Sequence, residues 1–320
     1  MIVGENLIYL DEPDLDYIPS TKGDAVRKFE RVMAEYLGIK DCVATNSGTS
    51  ALHLALLACG IGKGDTVVVP ATTFVATANA VLYTGAKVKL ADVDINHWCL
   101  GSGTYKKADS ILPVSLYGIA AGFSPGYAPI VVDTAESIHI KPDSPHHYFC
   151  YSFNGNKTIT TGAGGLVVGP NLEKIRKLIR PAYSNTLAYN YGMAAENARL
   201  GLKQIIKLND YINRKKEINA IYREQLYFLK FQGDQPFPAW MTACLLPEHI
   251  DIPTFQLRLE MRGIPTRRIF KPLNHYKHLA DGKTYPNAER LYGQGLCLPS
   301  SIKNKDEDIY EVCKTIKDLI

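Results

Sequence analysis

Apolar runs that stop on polar residues recur along the first half of this chain, and helical stretches separate them. TVVVP (66–70), AKVKLADVD (86–94), ILPVSLYG (111–118) and PIVVDTAES (129–137) are such runs. Between and before them, GDAVRKFERVMAEYLG (23–38) places Val26, Phe29, Val32, Met33, Tyr36 and Leu37 on one helical face, with Gly38 as its stop. DCVATNSG reads as a short strand and turn, and TSALHLALLACG as a helix closed by Gly60. Strands alternating with helices predict an α/β fold with a mostly parallel sheet and crossover connections. In such a sheet, ligands bind beyond the carboxyl ends of the strands. Those ends here carry Asn46–Thr49, Thr72–Phe74, Asp133 and Ser152.

One long uncharged stretch, TVVVPATTFVATANAVLY (66–83), has the length of a membrane span. Pro70, four threonines and Asn79 argue instead for a buried strand, a turn at Pro70 and a buried helix. After about residue 180 the texture changes. Residues 203–231 read as one long, charged amphipathic helix that bridges to a second unit. FPAWMTACLLP, a helix near PTFQLRLEMRG, IPTRRIF and the final DEDIYEVCKTIKDLI then suggest a smaller α+β domain. The expected division is residues 1–200 for an N-terminal segment plus the large domain, and 201–320 for the small domain with its linking helix.

Charge excludes one class of partner. The 36 basic and 32 acidic side chains are mixed along the chain, leaving a net charge of +4 and no basic stripe for a nucleic acid. Seven widely spaced cysteines without a CxxC pair suit reduced thiols in a cytoplasmic protein. The first 20 residues carry early acidic groups and no basic-then-apolar pattern, so no signal peptide and no membrane partner are expected. His146-His147 would point to opposite faces of a strand, so no metal site is expected.

The chemistry gathers around Lys157, in SFNGNKTITTGAGG (152–165) between two apolar strand-like runs. Its glycines let another molecule approach the backbone. A partly desolvated lysine amine can attack a carbonyl to make a Schiff base, which makes pyridoxal 5′-phosphate (PLP) the expected cofactor. Three other features fit the same group. Ser47-Gly48-Thr49-Ser50 opens a helix whose N-terminus would attract a phosphate. Asp133 could keep a pyridine nitrogen protonated. Phe74 could stack on a flat ring, and Ser152 could add a phosphate hydrogen bond. Each alone has a plain structural reading as a cap, a loop carboxylate or a core ring; their joint placement at strand ends is what argues for a site.

The segments NSGTSALHLAL, PATTFVATANAVLYTGAKVKLADVD, LPVSLYG, VVDTAES, YSFNGNKTITTGAGGLVV, NYGMAAENARLGLKQI and GIPTRRIFKPLNH through NAERLYGQGLCLPSS resemble the DegT/DnrJ/EryC1/StrS family of PLP-dependent sugar aminotransferases. The resemblance implies a type I aminotransferase fold and a homodimer with shared active sites. It makes Lys157 the Schiff-base lysine, Asp133 the pyridine-nitrogen partner, and Gly48, Thr49 and Ser152 phosphate ligands. It puts Phe74 in the stacking position, Glu136 near the cofactor hydroxyl, Asn190 at the phosphate of the neighbouring subunit, and Arg267 near the substrate. Arg268 and Lys271 join Arg267 in a basic cluster suited to a sugar diphosphate.

Departures from the family pattern are Gly192 where arginine is usual, Ser115 for histidine, Val132 for glutamate, and a short stretch from Ser137 to Tyr148. The expected reaction is amination of a nucleotide-linked 4-keto-6-deoxy sugar, UDP-linked and N-acetylated, with glutamate as donor. Alternatives are amination at C3 or of another keto sugar, a dehydratase of the same family, which would carry histidine at position 157, and a PLP-binding regulatory protein.

Overall fold

A computed structural model describes residues 24–101, 105, 108–122, 130–179 and 187–320. The stretch 1–20, where no signal peptide is expected, lies outside them. Helix α1 (Ala25–Leu37) ends at Gly38, whose φ of 71° is the left-handed conformation a helix stop of this kind needs. Then follow β1 (Val43–Thr45), α2 (Gly48–Ala58), β2 (Thr66–Pro70), α3 (Ala76–Tyr83), β3 (Lys87–Ala91), β4 (Ser110–Ile111), β5 (Val131–Asp133), β6 (Tyr148–Ser152) and β7 (Gly165–Val168).

Strands β3-β2-β4 form a parallel sheet, and β1-β7-β6-β5 a mixed one. Isolated parallel bridges, Ile111 to Ile130 and Val114 to Asp133, join the two into one layer in which β7 runs against the others. The predicted α/β fold with a mostly parallel sheet is therefore present. The segment 66–83 is a strand and a helix as expected, except that Pro70 pairs with Ala91 as the last strand residue and the turn follows it. ILPVSLYG contributes less strand than its apolar pattern suggests: after Val114 it turns through Leu116–Gly118.

Val67, Val68 and Val69 are wholly buried, each contributing about 1.5–3 kcal/mol by leaving water. Helix α2 is buried from Ser50 to Leu56, so its apolar residues surround the axis instead of forming one stripe.

Helices α4 (Leu172–Leu178), α5 (Ala195–Ile205) and α6 (Leu208–Gln225) come next. The single helix expected over 203–231 is thus two helices and a strand. The axis breaks at Ile206 and Lys207, and β8 (Lys230–Phe231) follows α6. The cause is tertiary. Ala198 belongs to the core that α1 closes with Phe29 and Met33, and Leu208 still packs there; further along α6, Ile218 and Tyr222 enter a separate core. One straight helix would not aim its apolar face at both.

The remaining elements are β9 (Ala243–Leu245), α7 (Ile252–Glu260), β10 (Arg267–Arg268), α8 (Pro286–Gln294), β11 (Gly295–Cys297) and α9 (Asp306–Leu319). The antiparallel sheet β10-β11-β9-β8 shares its core with α6, α7 and α9 through Cys244, Leu296, Phe255, Val312 and Ile316. All seven cysteines are free thiols. Among the described residues no helix is long and apolar enough to cross a membrane.

Candidate active site

Because β1, β2, β5 and β6 run the same way, their carboxyl ends emerge on one edge of the sheet. A cavity of about 440 Å³ opens there, within the range of small-molecule sites. Gly48, Thr49, Phe74, Asp133, Glu136, Ser152, Lys157 and Arg267 all line it. Asn190 does not: it is exposed, and its carbonyl accepts a hydrogen bond from Asn46 Nδ2 at 3.2 Å. Arg268 lines the cavity too, with its guanidinium 4.0 Å from the Tyr292 ring centroid. Lys271 instead lies 4.1 Å over Tyr276.

One end of the cavity is built for an anion. Ser47 Oγ accepts from Ser50 N at 3.1 Å and starts α2. The first N–H groups of a helix lack partners within it and carry its positive end. A Cβ on residue 48 would stand 2.9 Å from Ser152 Cβ, so only glycine lets the end of β6 approach this turn. Helix N-terminus and serine hydroxyl together form a cradle of the kind that suits a phosphate.

Asp133 also lines the cavity and is 5% exposed. Its Oδ2 accepts from Thr77 Oγ1 at 2.8 Å and its Oδ1 from Ala135 N at 3.0 Å. Thr73 Oγ1 lies 2.9 Å from Thr77 Oγ1 and extends the chain of hydroxyls. Burial pushes the Asp133 carboxyl above its usual range, against the opposing pull of these donors and of Lys157. A buried carboxylate in that condition has room for one more positive partner, and a pyridinium nitrogen would fit that need.

Lys157 Nζ lies 3.3 Å from Glu136 Oε1 and 3.8 Å from the centroid of the Trp240 ring. Glu136 Oε2 accepts from Tyr117 N at 2.9 Å. Burial raises the Glu136 carboxyl most strongly, and the neighbouring Lys157 partly offsets this. Tyr117 has a φ of 52°, an unusual conformation for a non-glycine residue; here it turns the Tyr117 N–H toward Glu136. Three lining rings, Trp240, Phe270 and Phe74, are linked through the buried Tyr117: Trp240 stacks on Tyr117 (6.1 Å, 18°), Tyr117 on Phe270 (5.4 Å, 19°), and Phe270 meets Phe74 at 5.8 Å. Cradle, carboxylate and amine fit the three ends of PLP: phosphate, ring nitrogen and aldehyde.

Sequence reasoning missed Thr77, Tyr117, Trp240 and Phe270. Thr77 carried a faint signal as a hydroxyl in the first turn of a helix beginning at a strand end. The three aromatics carried none, since rings in apolar surroundings read as core.

The chain matches the model of the DegT/DnrJ/EryC1/StrS aminotransferase family over residues 16–317. It is 30% identical to the GDP-perosamine synthase of Escherichia coli O157:H7 across 93% of this chain and 91% of that protein. It is 27% identical to the UDP-4-amino-4,6-dideoxy-N-acetyl-beta-L-altrosamine transaminase of Campylobacter jejuni serotype O:2, over 91% and 90% of the two chains. Its fold superposes on the PLP form of a sugar aminotransferase from Streptococcus pneumoniae with a TM-score of 0.84 at 22% identity, covering 94% and 92% of the chains. Together with the match across most of its length, these place the chain in the DegT/DnrJ/EryC1/StrS family as a PLP-dependent aminotransferase of the type I fold.

Proposed function

We propose that this enzyme moves an amino group from glutamate to C4 of a nucleotide-linked 4-keto-6-deoxy sugar, UDP-linked and N-acetylated. The observation that carries the reading is the convergence of Lys157, Asp133, Glu136 and the Gly48–Ser152 cradle in one cavity that Arg267 and Arg268 also line. The relatives' names support a nucleotide sugar; one contains UDP and an N-acetyl group and the other GDP.

When bound, PLP supplies an aldehyde carbon and an electron-withdrawing ring. The chain's own residues do the rest. Gly48, Thr49 and Ser152 hold the phosphate through N–H groups and a hydroxyl. Asp133, braced by Thr77 and Ala135, keeps the ring nitrogen protonated. Phe74 covers the ring face, and Glu136 holds the end of the ring next to Lys157. Lys157 binds the aldehyde and, once released, takes a proton from the donor's Cα and delivers it to C4′ as general base and acid. Arg267 binds the substrate, with Arg268 beside it for the diphosphate.

In this reading residues 1–200 form the cofactor-binding part. Residues 201–320 form the smaller part, which closes the cavity with Trp240, Met241 and Phe270. Two copies assemble in the cytoplasm, and Asn190, which lies outside the cavity of its own chain, serves the phosphate of its partner.

The test is direct. The enzyme is loaded with pyridoxamine phosphate and offered UDP- and GDP-linked 4-keto-6-deoxy sugars, with and without an N-acetyl group. Return of the visible cofactor band and a 4-amino product with the UDP-linked N-acetylated sugar are expected. Turnover confined to GDP sugars corrects the nucleotide, and no turnover with any nucleotide-linked ketone refutes the reading.

A further inference from the structure

Trp240 is held from every side. Its backbone N–H donates to Tyr117 O at 2.8 Å, its indole Nε1 donates to Asn156 O at 2.7 Å, and its carbonyl accepts from Lys215 Nζ at 2.8 Å. Its ring stacks on Tyr117 at 18°, and the residue is 4% exposed. The approach of its loop is close enough that a Cβ on Gly118 would stand 2.8 Å from Pro238 O. A core tryptophan needs a buried ring and one acceptor for its N–H. It does not need an ammonium 3.8 Å above its face, nor a bond to the residue next to that ammonium in sequence.

Lys157 is held at two points, the Glu136 carboxylate at 3.3 Å and the Trp240 face. Glu136 is also the group proposed to hold the cofactor's hydroxyl end. With the cofactor in place the carboxylate is engaged there, and the indole face is the support left to the free amine.

We propose that Trp240 is a positioning residue that seats the Lys157 amine during the part of the cycle in which that amine is free. The proposal rests on the reading of Lys157 as the cofactor-binding lysine. After release, Lys157 takes a proton from the donor's Cα while the C–H electron pair passes into the cofactor ring. It returns that proton to C4′ as the pair comes back. Between the two transfers the side chain is a cation, and a cation is what an indole face attracts. The seat keeps the ammonium within reach of C4′ instead of letting its four-carbon stem swing to solvent. The bond from Nε1 to Asn156 ties the seat to the same loop as the lysine, so the two move together.

Two measurements test this. The first uses cofactor-free protein carrying Trp98→Phe, which leaves Trp240 as the sole tryptophan of the two in the chain. Adding Lys157→Met is expected to change the Trp240 emission; unchanged emission overturns the contact, whatever the donor. The second follows loss of the visible band on adding L-glutamate, protonated or deuterated at Cα, to the cofactor-loaded enzyme. Trp240→Leu is expected to bind cofactor normally but to react about 30-fold more slowly, with a larger isotope effect, because general acid–base transfer depends on placement of the base. Trp240→Phe, which keeps a π face, is expected to stay within about 5-fold of the parent. If Trp240→Leu does not hold cofactor, Trp240→Met takes its place. A Trp240→Leu rate equal to the parent's, or a Trp240→Phe rate as slow as that of Trp240→Leu, overturns the proposal. A parent protein that stays colourless with PLP removes the reading of Lys157 and this inference with it. A coloured parent with indifferent Trp240 variants removes this inference alone.

Discussion

Lys215→Met offers a quantitative check on the support behind the active site. Lys215 is 5% exposed, and its Nζ donates to Trp240 O at 2.8 Å and to Ser300 O at 2.6 Å. Burial pushes its amine from an ordinary 10.5 down to about 7. Between those values the unfolded chain carries a proton that the folded chain has released. The contribution of Lys215 to wild-type stability therefore rises with pH across that window and is level on either side. The slope is at most about 1.4 kcal/mol per pH unit, or about 5 kcal/mol over the window.

Methionine fills similar volume and does not titrate. It leaves two buried carbonyls without this donor, a cost of about 1–3 kcal/mol each that is independent of pH. The difference in stability between wild type and Lys215→Met should therefore grow by about 2 kcal/mol in wild type's favour from about pH 7.5 to about pH 9. Equilibrium urea denaturation of the two cofactor-free proteins at both pH values measures it. A difference that stays constant across this range refutes the assignment of a desolvated amine at 215. A neutral amine still has two N–H donors for two carbonyls, so Trp240 should keep its place on both sides of the titration.

Three further outcomes are expected. Lys157→Met should remain colourless with PLP, gain no mass on borohydride treatment, and lose about 10²–10⁴-fold or more in the half-reaction with glutamate. Thr77→Val removes a donor to a buried carboxylate worth about 1.5–3 kcal/mol and raises the Asp133 carboxyl further. Cofactor affinity measured by absorbance titration should fall about 10-fold, with the loss growing as pH falls, because Asp133 then protonates sooner. Gly48→Ala forces a Cβ to 2.9 Å from Ser152 Cβ. Overpacking of about 1–3 kcal/mol should weaken binding of PLP and of inorganic phosphate together by about 10-fold or more; weakening of PLP alone would contradict the cradle.

Much of this protein is written in local pattern. The spacing of Phe29, Met33 and Leu37 and the glycine after them dictate α1 and its end, because period and stop signal are properties of a short window. TVVVP and PIVVD are strands for the same kind of reason. Once they are parallel, the residues that follow them must share one edge, which is why Gly48, Phe74, Asp133, Ser152 and Lys157 could be named before any coordinates. What no window contained was the second half of the cavity. Tyr117, Trp240 and Phe270 lie far apart in sequence and look like ordinary core rings; only the packing of the 237–241 loop against the Leu116–Gly118 turn stacks Trp240 and Phe270, which line the cavity, on the buried Tyr117. The break between α5 and α6 is of the same kind. Nothing in the local sequence stops the helix at Ile206, and the need to bury Ala198 in one core and Tyr222 in another does. Local periodicity sets the elements; long-range burial decides which distant side chains meet the amine.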